Sequence, residues 1–333
     1  MDFEFTEEQK MLRSSARDFL EKECPASVVN EMEIGDFQYS PELWKKIADL
    51  GWLGLTFPEK YGGFGMSVVD LAILYEEFGR VLLPGPFTST IVLGGMTLLE
   101  AGNDTQKEEL LPKIISGDEI ISLGLNEPES GWTGMAWNPD DVTIKATGSG
   151  DDYILEGVEL FVHDGSNASA FLIPARTRNT GNNEEGITLF YVPSDNPGIR
   201  IMHLTTIATD NQCEVIFDRV RVPKKNIIGQ IGGGWEPLAR SMQIGAVMLS
   251  AQMLGAGERL LEISREDNEA KIQFEGSEAV NQFTEEYLGQ LLKDVDGCRW
   301  TTYQAAQKLA NGEPANFEAT VVSGWNSYAR QNA

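Results

Sequence analysis

The hydrophobic period of this chain changes twice, and that constrains its fold more than any single motif. From Phe5 to about Gly117 apolar residues recur three and four positions apart. From about Ile120 to Val222 they come in short alternating or β-branched runs, and beyond Gly229 the helical spacing returns. Such a chain has to pack helices, then a sheet, then helices again. The strands follow one another without helices between them, which argues against a doubly wound nucleotide fold. The expectation is an α+β multidomain protein with boundaries near 1–117, 118–228 and 229–333.

Local signals place the elements. Thr6 and Gln9 form a capping box, and Met11, Leu12, Ala16, Phe19 and Leu20 make one helical face behind it. Ser40 before Pro41 caps a second helix carried by Leu43, Trp44 and Ile47 and ended near Gly51. A third face runs Leu71, Leu74, Tyr75, Phe78 and Leu82. Pro58 to Gly65 is a turn-rich loop. In the middle segment Val142-Ile144-Ala146 and Tyr153-Leu155 flank a Gly148 to Asp151 turn, followed by strand runs at 171–173, 189–192 and 215–217. The C-terminal segment holds a long helix through Met242, Leu249, Met253 and Leu260, then helices over about 278–309 and 316–328. The glycine cluster 229–234 lacks the Gly-Lys-Ser/Thr ending and the spacing of a phosphate loop, so it reads as a flexible domain junction.

Composition narrows the function. With 51 acidic against 26 basic residues the formal net charge is −25, which disfavours phosphate backbones and anionic lipid surfaces as partners. Cys24, Cys213 and Cys298 lie far apart, and His163 and His203 are the only histidines, which argues against a zinc site and suits a reducing compartment. The acidic start lacks the pattern of a signal peptide, and no apolar run approaches the roughly 20 residues of a membrane helix. We expect a cytoplasmic protein without membrane insertion, nucleic acid or metal.

Several motifs in order resemble the acyl-CoA dehydrogenase family of flavoenzymes. They are Met1-Asp2-Phe3 with Thr6-Glu7-Glu8-Gln9; Gly51-Trp52-Leu53-Gly54-Leu55 through Pro58-Glu59 and Tyr61-Gly62-Gly63-Phe64-Gly65; Glu127-Pro128; Asp152 to Gly157; Phe161-Val162; and Asp218-Arg219-Val220-Arg221-Val222-Pro223 with Asn226 and Gly229. The resemblance implies an N-terminal helical domain, a middle antiparallel β-barrel and a C-terminal helical bundle, here shortened at its end. It also implies FAD held between the barrel of one subunit and the bundle of its neighbour. A carboxylate would take the α-proton of an acyl-CoA while the β-hydride passes to the flavin, giving a trans-2-enoyl-CoA. Electron-transfer flavoprotein is the implied electron acceptor. By the same resemblance the flavin-binding segment falls on Leu123, Leu125 and Asn126, its phosphate-binding part on Gly131, Trp132 and Thr133, the strand beside the flavin on Phe161 and His163, and the contact across the dimer on Lys271, Gln273 and Phe274.

Departures from the family pattern carry information too. Trp132 stands where a phosphate-binding serine is usual, and Thr133 has the nearest hydroxyl. Lys271 keeps charge but not the arginine fork, and Glu275 adds negative charge beside it. No catalytic base is assigned: the usual late glutamate lies beyond Ala333, and the alternative position on the first C-terminal helix holds Gln243-Ile244. Glu236 and Glu258 are about two and four helical turns away. Two family readings follow. One is a subunit of a heteromeric acyl-CoA dehydrogenase, of the kind used on steroid side chains, dicarboxylic acids or ring-derived acyl-CoAs, and this is favoured. The other is a homo-oligomeric enzyme with its base in an absent segment. A flavin-free scaffold protein is the reading outside enzymology.

Overall fold

The computed structural model describes residues 4–35, 39–129, 138–207, 210–275, 278–313 and 315, and the side chains of 34 and 268–285 fall outside that description. The chain forms two compact units. The first comprises Met1–Val29, Met66–Leu83 and Gln243–Ala333, the second Asn30–Gly65 and Pro84–Met242.

The first unit is helical. Helix α1 (Glu7–Glu23) opens on the Thr6 capping box, with Gln9 N donating to Thr6 Oγ1 at 3.2 Å and Thr6 N donating to Gln9 Oε1 at 3.1 Å. It packs on helix α4 (Val68–Val81), whose residues Asp70 to Gly79 are all buried. The third apolar face was expected to include Leu82, but that residue is the left-handed cap of α4 and is 59% exposed. The helix has ended there, so its side chain no longer follows the helical period. Helix α7 (Trp235–Glu275) starts in the second unit and continues through the first, and helix α8 (Glu278–Ala310) packs on α4.

Small residues let α4 and α7 meet backbone to backbone. A Cβ at Gly79 would lie 1.8 Å from the Gln252 carbonyl oxygen, and one at Gly255 1.7 Å from that of Glu76. Beside this crossing a charged cluster joins four helices. Arg13 bonds Glu76 and lies 3.1 Å from Glu77; Arg17 lies 2.7 Å from Glu77; Arg80 lies 3.3 Å from Glu258; and the Tyr303 hydroxyl bonds Glu76. Glu76 and Glu77 are fully buried, so these partners are what makes their charge tolerable.

The second unit is built around a sheet. Helix α2 (Ala26–Ile34) leads into it across the unit boundary, and helix α3 (Pro41–Asp49) takes the Ser40 cap, with Leu43 N donating to Ser40 Oγ at 3.2 Å. The loop after it brings backbone against backbone at Gly63, where a Cβ would lie 2.1 Å from the Phe57 carbonyl oxygen. A π-helical stretch (Thr88–Gly95), helix α5 (Met96–Ala101) and helix α6 (Asp104–Ile115) come next.

Among the described residues eight strands follow: β1 (Ile121–Leu123), β2 (Lys145–Ser149), β3 (Asp152–His163), β4 (Ala170–Arg176), β5 (Ile187–Pro193), β6 (Ile199–Leu204), β7 (Gln212–Pro223) and β8 (Ile227–Ile228). They run in the order β6-β7-β3-β2-β4-β5-β8, with β1 beside β4. Most pairs are antiparallel, but β4 pairs parallel with both β1 and β2. Alternation sends Leu155, Phe171, Ile173, Phe190, Val215 and Phe217 into one core. Ile144 joins that core although regular pairing begins only at Lys145. The glycine cluster is tied to β5: Gly232 N donates to Thr188 Oγ1 and Gly234 N to the Ile187 carbonyl, each at 2.8 Å. Those amides are therefore not free for a phosphate.

Candidate functional site

The expected flavin segment leaves the end of β1. Leu123 and Leu125 are buried, and Asn126 is half-buried with its backbone joined to β3, Leu160 N donating to the Asn126 carbonyl at 2.6 Å. This bridge pairs Asn126 with Leu160, the residue before Phe161, so two separately expected parts of the site lie on neighbouring stretches of backbone. Glu127 follows at 4% exposure, and its carboxyl accepts from Thr143 N at 2.6 Å, from the Thr143 hydroxyl and from Ile144 N at 3.0 Å. Burial raises this carboxyl above the usual range, and the bonds from Thr143 and Ile144 oppose the rise.

The end of β3 supplies the second part. Val162 points into the core while Phe161 and His163 flank it on the other face. Phe161 (φ 53°) and Asp164 (φ 57°) both adopt left-handed backbone, which costs about 1–2 kcal/mol per residue and is sustained by the surrounding sheet. The pairing of β3 with β7 is irregular between Glu159 and Val162, and this re-aims the residues that follow. His163 Nδ1 lies 3.6 Å from Asp210 Oδ2, and Asp210 also accepts from the Thr206 hydroxyl at 2.7 Å. Asp164 accepts from Ser89 Oγ at 2.6 Å; burial raises its carboxyl and the serine bond opposes that rise. Phe161 thus offers an aromatic face and His163 an imidazole on one rigid edge, next to the Asn126 backbone.

The remaining expected residues are not gathered in the same way. Gly131, Trp132 and Thr133 lie outside the described residues. Lys271, Gln273 and Phe274 fall on the backbone of α7, with side chains outside the description. Gln243 and Ile244 are half-buried on α7. Among the described residues there is no group of three or more His, Cys, Asp or Glu placed to hold a metal, and no helix long and apolar enough to cross a membrane.

Sequence reasoning missed Glu159. It is fully buried on β3, and neither carboxyl oxygen has a hydrogen-bond partner. A signal existed: counting by twos from the buried Leu155 puts Glu159 on the inward face. Arg176 was missed as well. Its guanidinium donates to the Val142 carbonyl at 2.9 Å and to the Pro139 carbonyl, which fixes the chain entering β2.

Comparison with known proteins agrees with this architecture. Profiles of the acyl-CoA dehydrogenase N-terminal, middle and C-terminal domains match residues 6–118, 122–220 and 232–332. An acyl-CoA dehydrogenase of Bacillus subtilis is 29% identical over 98% of this chain and 86% of its own. The butyryl-CoA dehydrogenase of Megasphaera elsdenii superposes with a TM-score of 0.87 at 26% identity, covering 99% of this chain and 86% of that one. The ChsE4-ChsE5 complex of Mycobacterium tuberculosis gives 0.86 at 25%, covering 100% and 85%. With three consecutive domain matches over nearly its whole length and the corresponding fold, this chain belongs to the acyl-CoA dehydrogenase family.

Proposed function

We propose that this chain takes part in the FAD-dependent α,β-dehydrogenation of an acyl-CoA thioester to a trans-2-enoyl-CoA, as one subunit of a heteromeric acyl-CoA dehydrogenase. One observation carries the heteromeric reading: the helix position available for the base holds Gln243-Ile244, and glutamine has no titratable proton. The likeness to the ChsE4-ChsE5 complex supports it. In this reading residues 1–117, 118–228 and 229–333 are the family's three domains, and a second acyl-CoA dehydrogenase-like subunit supplies the base.

The cofactor is FAD, which supplies the hydride acceptor when bound. The Asn126-Phe161 junction fits it, because a backbone edge and an aromatic face on rigid strands orient a planar ring. Leu123 and Leu125 keep that junction dry from behind, and His163 offers a donor at the ring's edge. Gly131, Trp132 and Thr133 are assigned to the phosphates, and Lys271, Gln273 and Phe274 to the cofactor of a neighbouring subunit. Electrons then leave to an electron-transferring flavoprotein.

The test is to express the chain alone and with an acyl-CoA dehydrogenase-like partner, record the flavin spectrum of each preparation, and titrate with a panel of acyl-CoA thioesters. The expected result is bleaching only in the co-expressed complex. Yellow protein that acyl-CoA bleaches with the chain alone would sink the heteromeric reading.

A further inference from the structure

Glu159 is a buried acid without a donor, and the antiparallel bridge between Asn126 and Leu160 sets it opposite Glu127, a buried acid that accepts from two amides and a hydroxyl. Its side chain lies over Gly124, where a Cβ would sit 2.7 Å from Glu159 Cγ and 2.8 Å from Ile173 Cδ1, and across the ladder it faces Val215. The neighbours from β4 and β7, Ile173 and Val215, are apolar, and Glu127 is the charged group that acts on it. Glu127 is acted on in turn by Glu129, and Arg176 senses its charge.

The two carboxyls are not equivalent. Glu127 is met by two backbone amides and a hydroxyl, and a carboxylate suits that set because it is purely an acceptor. An ionised Glu159 would have no compensating donor and would face a second negative charge in a dry interior. The proton therefore belongs on Glu159. Glu127 in turn ties the chain leaving β1 to Thr143 and Ile144, and Arg176 holds Pro139 and Val142 on the same side. Together they hold the chain immediately after Asn126, which the function proposed above sets against the flavin.

We propose that Glu159 is a positioning residue for FAD: kept as a neutral carboxylic acid, it allows Glu127 to stand as the carboxylate that clamps the chain beside Asn126. The role in FAD binding rests on the function proposed above, whereas the placing of the proton does not. Removing the proton from Glu159 would press Glu127 to take one up, and a protonated Glu127 would give up part of its acceptor capacity and loosen the clamp.

The full chain without cofactor is unfolded in urea between pH 5 and 8, as wild type and as Glu159→Gln, which keeps the shape but cannot ionise. Below the unfolded glutamate pKa of about 4.3 the two should differ least; as pH rises, the unfolding constant of wild type should grow about tenfold per pH unit relative to the variant. A difference that does not change with pH would overturn the assignment. Infrared spectra of wild type with isotope-labelled glutamate give a check that needs no variant: a protonated carboxyl band at pH 8 is expected, and its absence would overturn the proposal as well. FAD titrations then address the positioning role. Wild type should keep its affinity up to pH 8 and lose it only above that, where Glu159 ionises, while Glu159→Gln holds it, and Glu127→Gln should bind weakly throughout. FAD affinity with the same pH dependence in wild type and Glu159→Gln would overturn that role even if the unfolding curves diverge, and failure of all forms to bind FAD would sink the functional reading while leaving the unfolding result to decide the proton.

Discussion

Glu127 has three donors converging on it from Thr143 and Ile144, so truncating it leaves two amides and a hydroxyl near the interior without an acceptor. Glu127→Ala should destabilise the chain by about 2–4 kcal/mol in urea unfolding, at about 1–3 kcal/mol per stranded buried group with partial relief by water. The cysteines make a second prediction at this scale. Cys24 and Cys298 are almost fully buried, and burial pushes their thiols up to about 11 and about 12. At pH 8 almost no thiolate forms at either, so iodoacetamide should label them only on unfolding, as mass spectrometry would show. The capping threonine was legible in the sequence because a cap is a hydrogen bond within four residues. The burial of Glu159 was half legible: alternation gives its face, but only the neighbouring strands show that no donor waits there.

Helix α4 shows what an element adds to its residues. Its face was readable from Leu71 to Phe78, yet the reason it carries Gly79 was not, because the glycine answers to Gln252 on α7. The matching glycine on α7, Gly255, answers to Glu76 on α4, so the two helices approach as closely as backbones allow. Gly255→Ala should cost about 3 kcal/mol in chemical unfolding, at the upper end for overpacking, since the obstructing atoms are backbone and cannot turn aside. A cost under about 0.5 kcal/mol would mean that the crossing is looser than described. The strand β3 carries the opposite lesson: its irregular pairing and the left-handed Phe161 interrupt the alternation near the expected flavin contacts.

At the scale of the whole molecule, charge is distributed unevenly. A net charge of −25 coexists with a cluster in which Arg13 serves two fully buried glutamates on α4. Arg13→Ala should cost about 3–5 kcal/mol, because it strands charge in the interior, and the loss should change little with added salt. The net charge also bears on ligands. FAD is anionic, so its binding to the isolated chain should strengthen as salt rises from low to physiological ionic strength; weakening over that range would show that local cations dominate.

What the sequence determined by itself was everything that depends on near neighbours: the two changes of period, the caps at Thr6 and Ser40, the order of family motifs, and the lack of an acid at Gln243. Only the tertiary structure decided that α1 and α4 group with the C-terminal helices, that Gly79 and Gly255 face carbonyls of another helix, and that Glu127 and Glu159 lie together with one of them unpartnered. The physical reason is range. Helical and strand periods and caps arise from hydrogen bonds a few residues apart, whereas desolvation and charge coupling depend on which distant segments exclude water from the same place.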